Sequence, residues 1–466
     1  MRSVSRVSAG SHARPLPAKA WRYSDSSYAW YVTIVLALVY AISFVDRQVI
    51  NLLVGSIRQH YSLTDTSVSL LIGFALTSVY VLIAMPSGRW VDTGHRRNIL
   101  IGCGIVWSCS TMAAGIAHSY NQMFISRMLV GAAESAVYPA CTALVASYFS
   151  REKLTRAMSF LLVGPFFGGG LALIFGGMLI RALTNTGPIN LPVVGVLVPW
   201  QMTFVLVGLG GLIPIILLLT VKEPPRLAVT SNPDVTAEKF TTREALRYIW
   251  ERKRFYACLI LGISLHAVSI YAVPAWSPTL LIRKFHAPIA QVGIQYGSVA
   301  LAGGILGMLS GPWVKGMFER RGYRSASVVG MVFGIVLCIP VVIALPMMPT
   351  YGLTLAALAL LTFLYTSPLG LTTAALQEAT PDGMRGVVGA FYFSIASIIG
   401  LGAAPTMVGM MTDYVFKNPL MVGWSITIVV SVAMALGCLL ILYSRKGHQD
   451  ALAERIEIER KVLAQA

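Results

Sequence analysis

Long apolar runs, each followed by a short segment rich in charged residues, glycine or proline, recur along almost the whole chain. Each run has about twenty residues or more, the length that an α-helix needs to cross the hydrocarbon core of a bilayer. The runs predict twelve membrane-spanning helices, at 28–54, 66–88, 97–117, 121–147, 155–180, 199–221, 256–282, 290–314, 325–346, 350–376, 386–411 and 421–443. Because the number of crossings is even, both chain ends are predicted to lie on the same side of the membrane.

The longest polar segment between two runs separates six runs from six others. It contains a basic, partly amphipathic stretch that predicts a helix from Thr241 to Tyr256. Six spans, a linker and six spans are typical of a duplicated transporter. The predicted parts are an amino-terminal tail at 1–27, a six-helix bundle at 28–221, a linker at 222–254, a second six-helix bundle at 255–444 and a tail at 445–466.

Two matches between the halves support this duplication. A glycine- and arginine-containing segment at 88–97 follows the second run, and a related segment at 311–324 follows the eighth. Arg156 opens the fifth run and Arg385 opens the eleventh, at nearly the same offset. The fold class is therefore predicted to be an all-α membrane protein with two pseudo-symmetric six-helix bundles.

The distribution of basic residues predicts the orientation of the chain. Most of its 36 lysines and arginines fall in the tails, the linker and the loops on the same side as the chain ends. Cytoplasmic loops of membrane proteins carry such an excess, so both termini are predicted to be cytoplasmic, in a multi-pass plasma or bacterial inner membrane protein. The loops of the opposite side contain Arg58, Arg181, Arg283, Lys284 and Lys417.

Composition excludes several function classes. The chain is 56% hydrophobic and 12% charged, whereas soluble domains carry about a quarter charged residues. The net charge of +17 is spread over short loops and forms no continuous basic face, so we expect no nucleic-acid partner. The six cysteines lie in apolar runs without metal-ligand spacing, and no nucleophile–base pair stands out. We therefore expect neither enzymatic activity nor a metal or organic cofactor.

Three motifs resemble those of the major facilitator superfamily. The segment Gly88-Arg-Trp-Val-Asp92-Thr-Gly94-His-Arg96-Arg97 resembles its cytoplasmic loop signature, in which glycines permit a tight turn. Asp92 is predicted to accept bonds across the interface between the bundles and to act as a conformational latch. In the related second segment Lys315 replaces the aspartate, so we predict no latch there.

The fourth and fifth runs carry the other two motifs. Arg127 to Glu134 resembles the superfamily's fourth-helix Arg-x-x-x-Gly motif, extended by a glutamate. Gly164-Pro165-Phe-Phe-Gly168-Gly169 matches the core of a motif associated with antiporters, where glycines allow close helix approach and proline favours a bend. A plain packing seam would contain the same residues.

Within the superfamily, the chain resembles the Spinster branch of lysolipid and sphingolipid transporters, as a bacterial-type homologue. The resemblance extends over about residues 28–443. It depends on the fourth-helix motif and on Phe44-Val-Asp46-Arg47, Ala275-Trp-Ser-Pro-Thr279 and Pro405…Gly409…Asp413. Symporters of sugar acids share a similar Asp-Arg first helix.

Four formally charged side chains fall away from the ends of the predicted spans: Asp46, Arg47, Arg127 and Glu134. A charge at the bilayer centre costs about 2.5–3.5 kcal/mol, so these groups must face one another or a water-filled cavity. Arg127 and Glu134 are seven residues apart and share a helix face, whereas Asp46 and Arg47 diverge by about 100° and should have different partners.

These charges predict a coupling site with the proton as coupling ion. Burial disfavours an ionised carboxylate and a nearby arginine favours it, so a conformational change can make Asp46 or Glu134 release a proton. An anionic substrate bound at Arg47 or Arg127 would compete with the carboxylates and favour their protonation. A static ion-pair network that assembles the first and fourth helices is the structural alternative.

The second half has no such charges away from its span ends. Its predicted cavity-side polar residues include His266, Tyr271, Tyr365, Thr366 and Thr372. A central cavity with one charged wall and one mostly apolar wall suits an amphipathic substrate with a charged head group. The resemblance to the Spinster branch also suggests an amphipathic substrate. We predict a monomeric, proton-coupled transporter of an amphipathic anionic or lipid-like substrate, in contact with membrane lipid. The alternatives are a proton symporter of small organic or sugar acids and a non-transporting membrane receptor.

Overall fold

The computed structural model describes residues 25–192, 195–224, 242–381 and 384–465. The predicted amino-terminal tail up to residue 24 and the linker from 225 to 241 lie outside these residues. Within the described part, 12 helices are long and apolar enough to cross a membrane. The predicted all-α fold and its twelve spans are confirmed.

We number the spans 1 to 12 in chain order, and several of them are longer than predicted. The fifth, eighth and twelfth continue as polar helix beyond their apolar runs. The bounds are Ser27–Leu52, Asp65–Ala84, Arg96–Gly115, Tyr120–Tyr148, Glu152–Thr186, Pro199–Leu219, Lys253–Phe285, Ile289–Arg320, Ala326–Met347, Tyr351–Ala379, Val387–Phe416 and Pro419–Ala453.

Short elements occupy the connections. A helix at Val54–Tyr61 joins spans 1 and 2, and the linker contains a helix at Thr242–Glu251. Between spans 5 and 6, strands Ile189–Leu191 and Gly195–Leu197 pair in antiparallel fashion. We call the side where span 1 begins and span 12 ends the terminal face, and the other side the distal face.

The two six-helix bundles meet along spans 5 and 8 with almost no side chain between the helices. A Cβ atom added to Gly293 would lie 2.7 Å from the carbonyl oxygen of Leu173 and 2.8 Å from the Cα of Gly177. A Cβ added to Gly297 would lie 2.9 Å from the carbonyl oxygen of Gly170. Glycine at these positions lets the two backbones touch.

Spans 2 and 11 also meet across the bundles, through segments of irregular helix. Leu70–Phe74 in span 2 and Ser397–Ala403 in span 11 are π-helical. A Cβ added to Gly73 would collide with the carbonyl oxygen of Leu401, so the two backbones approach each other closely. π-Helical turns often occur at functional sites, and these two supply residues to the cavities described below.

Candidate functional site

The four charged side chains come together at mid-depth in the first bundle. Arg127 is fully buried, and Asp46 and Glu134 are 2% exposed. Arg47 in span 1 donates from Nε to Glu134 Oε2 in span 4. Because 12% of the Arg47 side chain remains exposed, this ion pair lies at the edge of the cluster.

Arg127 connects three helices through backbone carbonyls rather than through a carboxylate. Its Nη1 donates to the carbonyl oxygen of Asp46, at 3.1 Å. Its Nε donates to the carbonyl oxygen of Leu71, in the π-helical segment of span 2, at 3.4 Å. The neighbours Asp46 and Arg47 therefore contact different groups: the backbone carbonyl of Asp46 accepts from Arg127, whereas the side chain of Arg47 pairs with the carboxylate of Glu134.

Several polar atoms of this cluster have no hydrogen-bond partner among the described protein atoms. They are Asp46 Oδ2, Glu134 Oε1 and Arg127 Nη2, together with Thr111 Oγ1 of span 3. A buried polar atom without a partner costs about 1–3 kcal/mol, and more when it is charged. The two carboxylate oxygens can accept a proton, and all four atoms can form a hydrogen bond with a water molecule or a polar group of a ligand.

Two small neighbouring cavities, which share part of their lining, flank Arg47 between the bundles. Both are lined by Phe44, Arg47, Tyr271 and Leu401. The first lies towards the terminal face, and the ion pair of Arg47 with Glu134 forms part of its wall. Its other lining residues are Tyr40, Ser43, Tyr80, Tyr138, Phe393 and Ser397.

The second cavity lies towards the distal face and is less polar. The amides of Gln48 and Asn51 line it on the side of span 1. Its other lining residues, apart from the four shared ones, are Ile72, Pro274, Ala275 and Pro405. A small cavity with a charged and aromatic lining thus lies next to one with a mainly apolar lining.

Aromatic rings enclose the guanidinium group of Arg47. Its Cζ lies 4.8 Å from the centroid of the Phe44 ring and 5.4 Å from that of Tyr80. Tyr138 of the first bundle stacks on Phe393 of the second, with 6.4 Å between centroids. Sequence reasoning missed this shell, although Tyr40, Phe44 and Arg47 recur at i, i+4 and i+7 and so share one face of span 1.

The predicted polar residues of the second bundle lie in two different environments. Tyr271 lines both cavities, whereas His266 is buried and its Nε2 contacts the carbonyl oxygen of Tyr365 at 3.0 Å. Five residues separate His266 from Tyr271, which places them about 140° apart around the helix. Thr366 and Thr372 donate to carbonyl oxygens of their own helices and, like Tyr365, do not line these two cavities.

The predicted gate motif lies on the terminal face and begins span 3. The carboxylate of Glu223 accepts from the backbone N–H groups of Arg96 at 3.1 Å and Arg97 at 2.8 Å. A negative group at a helix N-terminus satisfies free N–H donors and stabilises the helix, a contact that the sequence analysis missed. Asp92 is exposed, and its side chain forms no hydrogen bond or ion pair with any described residue.

The glycines of the motifs differ in their surroundings. Gly94 makes the tight turn before span 3, where a Cβ would lie 2.8 Å from the carbonyl oxygen of Trp90, whereas a Cβ at Gly88 would meet nothing within 4 Å. Gly168 packs directly on the backbone of Ala41 in span 1. The helix continues without interruption through Pro165 and Gly169 to Thr186, and Gly164 also faces span 1.

On the distal face, an ion-pair network closes the gap between the bundles. Arg283 of the second bundle donates two bonds of 2.6 Å to the buried carboxylate of Asp65 in the first. Asp413 of the second bundle accepts from the backbone N–H and the hydroxyl of Thr66, both at 2.6 Å. Because Thr66 lies in the first turn of span 2, Asp413 also caps that helix.

Contacts on the terminal face include an ion pair that lies within one bundle. Lys315, the residue that replaces the aspartate in the second copy of the motif, donates to Glu378 at 2.7 Å, and both belong to the second bundle. In the described part of the chain, no group of three or more histidine, cysteine, aspartate or glutamate side chains could hold a metal ion.

Comparison with known proteins gives a consistent result. The family model of the Major Facilitator Superfamily matches residues 36–405. An "MFS-type efflux pump" of Mycolicibacterium smegmatis is 25% identical over 389 residues, which are 83% of this chain and 85% of that protein. "Protein spinster homolog 1" of Xenopus tropicalis is 22% identical over 413 residues, 84% of this chain and 75% of that protein.

Solved structures of similar fold include a transporter of the Spinster type. A bacterial homologue of the human lysosomal transporter Spinster, in an inward-facing and unoccupied conformation, matches with a TM-score of 0.75 at 23% identity. That match covers 92% of this chain and 97% of the other. A D-xylose–proton symporter matches with a TM-score of 0.63 at 16% identity, covering 88% and 97%.

Proposed function

The chain belongs to the major facilitator superfamily, whose members are transporters rather than enzymes, and we propose that it moves an amphipathic anionic or lipid-like substrate in a proton-coupled cycle. The observation that carries this proposal is the buried ion pair of Arg47 with Glu134 in the wall of a cavity between the bundles. A buried ionisable pair in a membrane is costly, and it is retained where ions or protons are handled.

An anionic substrate and the Glu134 carboxylate compete for Arg47, so substrate binding favours protonation of Glu134. An anionic head group that approaches Arg47 from the cavity takes the place of the Glu134 carboxylate. Glu134, left without its cation in a buried site, then accepts a proton at one of its carboxylate oxygens. Release of the substrate restores the ion pair and returns the proton, so each transport event is linked to a proton. Asp46, whose Oδ2 has no hydrogen-bond partner among the described residues, is the second proton acceptor of the cluster.

The lining of the two cavities supports a lysolipid or sphingoid type of substrate. A charged head group would contact Arg47 and the tyrosines of the first cavity, and a hydrocarbon chain would contact Ile72 and Pro405 of the second, once the bundles move apart enough to admit them. A sugar acid would require hydrogen-bond donors on both walls, because hydroxyl groups that are buried without partners lose affinity.

The closed distal face supports an inward-facing state. The basic loops lie on the terminal face, so we take this face to be cytoplasmic. Transport by alternating access then requires that the contacts of Asp65, Arg283 and Asp413 break while the terminal face closes. When the terminal face is closed, Asp92, which is exposed in this structure, would act as the latch of that face.

Glu134→Gln in proteoliposomes tests the proposal. The variant should lose accumulation of a lysolipid or sphingoid amphiphile driven by a pH gradient and retain substrate exchange without a gradient. Glu378→Gln is the control, since Glu378 is also a carboxylate paired with a cation, but it is only partly buried and lies within the second bundle. Gradient-driven accumulation equal to that of the unmodified protein in Glu134→Gln would refute the coupling role.

A further inference from the structure

The turn between the linker helix and span 7 carries an exposed tryptophan among basic side chains. Trp250 is 71% exposed, and the Nζ of Lys253 lies 5.0 Å from the centroid of its ring. Span 7 begins at Lys253, so Trp250 stands at the end of a membrane-spanning helix. Trp90 and Trp313, near the terminal-face ends of spans 2 and 8, are also exposed. Tryptophan is enriched at this depth, next to the lipid head groups.

Lys253, which lies beside Trp250, and the next residue Arg254 have no acidic partner among the described residues. Arg247 pairs with Glu251 at 2.9 Å, and the guanidinium of Arg252 lies over the Tyr248 ring at 4.2 Å. By contrast, Lys253 and Arg254 are exposed and form no ion pair or hydrogen bond with any described residue. The surface next to the tryptophan therefore has an unbalanced positive charge.

The opposite side of the linker helix fixes the position of this surface. Ile249 is buried, and the ring of Tyr248 packs against that of Tyr256 in span 7 with 5.9 Å between centroids. Trp250 is the next residue along the helix and so must point about 100° away from Ile249. Trp250 is thus held outward by a packed helix, next to Lys253 at the start of span 7.

We propose that Trp250, Lys253 and Arg254 form a binding site for the head group of an anionic phospholipid, separate from the cavities between the bundles. The two cations bind the phosphate groups, and the indole ring packs against the glycerol and upper acyl region. A zwitterionic head group has no net charge to offset the two cations. Each basic residue near an anionic membrane surface contributes on the order of a fivefold preference.

Quenching of tryptophan fluorescence by brominated lipids tests this site directly. The protein is placed in phosphatidylcholine nanodiscs with a small, varied fraction of brominated phosphatidylglycerol or brominated phosphatidylcholine. The signal of Trp250 is the difference between the unmodified protein and Trp250→Phe. We expect this signal to be half-quenched at a several-fold lower fraction of phosphatidylglycerol than of phosphatidylcholine.

Charge variants decide whether the named residues are responsible. Lys253→Gln with Arg254→Gln should abolish the preference for phosphatidylglycerol, whereas Arg320→Gln with Arg321→Gln should preserve it. The control pair removes the same charge from exposed positions of the same face, away from Trp250. Equal quenching by the two lipids, or an equal loss of preference in both double variants, would overturn the proposal. Because the assay measures binding without transport, its outcome is independent of the proposed transport function.

Discussion

Removing the charge of Asp65 should open the distal face of the transporter. The Asp65 carboxylate is fully buried and accepts two bonds of 2.6 Å from Arg283, which is 13% exposed and also donates to the carbonyl oxygen of Pro419 at 3.1 Å. Removing one partner of a buried charge pair costs about 2–5 kcal/mol. Asp65→Asn keeps the shape of the side chain and Arg283 keeps one acceptor, so we expect the lower part of this range, about 2–3 kcal/mol.

The pair with Arg283 exists only in the state in which the two bundles meet at Asp65, whereas Arg58 of the same bundle, 3.5 Å from the Asp65 carboxylate, stays beside it in both states. At 1.4 kcal/mol per factor of ten, the ratio of distal-open to distal-closed molecules should rise roughly 30- to 150-fold. A distal-open population of about 1% would then become about a quarter or more of the molecules. Asp65→Asn should therefore change the conformational equilibrium to an extent that distance measurements detect.

Double electron–electron resonance spectroscopy measures this change in the conformational equilibrium. Spin labels at His118 in the first bundle and Met347 in the second, both exposed at distal-face positions, report the separation of the bundles once the native cysteines are replaced. Asp65→Asn should add a population at longer distance. Lys284→Gln is the control, because Lys284 donates only to the carbonyl oxygens of Pro346 and Met348 in its own bundle. An unchanged distance distribution in Asp65→Asn, or the same change in the control, would refute the reasoning.

Three further predictions concern packing, capping and charge geometry. Gly131→Ala should lower the free energy of unfolding by about 1–3 kcal/mol, because the added Cβ would collide with the Leu76 backbone. Gly102→Ala, which adds a Cβ in open space, should leave this free energy unchanged. Thermal unfolding in detergent compares the two variants. Glu223→Ala should cost about 1 kcal/mol in the same measurement, because two N–H groups at the start of span 3 lose their acceptor, and an unchanged unfolding temperature would contradict this. Arg47→Lys should weaken the binding of an anionic amphiphile although lysine keeps the positive charge, because lysine cannot reproduce the planar guanidinium between two aromatic rings. Equal affinities of the two proteins in a binding titration would argue against that geometry.

The sequence predicted the spans well because lipid imposes a simple rule on them. A helix of about twenty apolar residues is the element that satisfies its own backbone in a bilayer, so each run identified one span. The ends of the spans were predicted less accurately, because helices such as Glu152–Thr186 continue beyond the apolar run as polar helix, where hydropathy gives no signal. The two predicted bundles followed from the same runs.

The candidate site was only partly accessible from the sequence. Charges such as Glu134 stood out because ionisable residues within apolar runs are rare. Aromatic residues are common in membrane helices, so Tyr80 and Phe393 could not be recognised as cavity residues without their positions in space. Asp65 and Arg283 lie near span ends, where charges are frequent, and 218 residues separate them, so no local pattern pairs them.

The bare backbone contact between spans 5 and 8 has a consequence for how the protein can move. Where two helices interlock through large side chains, one cannot roll over the other unless those side chains change rotamer and repack. Gly170, Gly177, Gly293 and Gly297 have no rotamers to change. The halves can therefore turn about this line at low energetic cost, and any residue larger than glycine there should slow the turnover of the protein more than it weakens ligand binding.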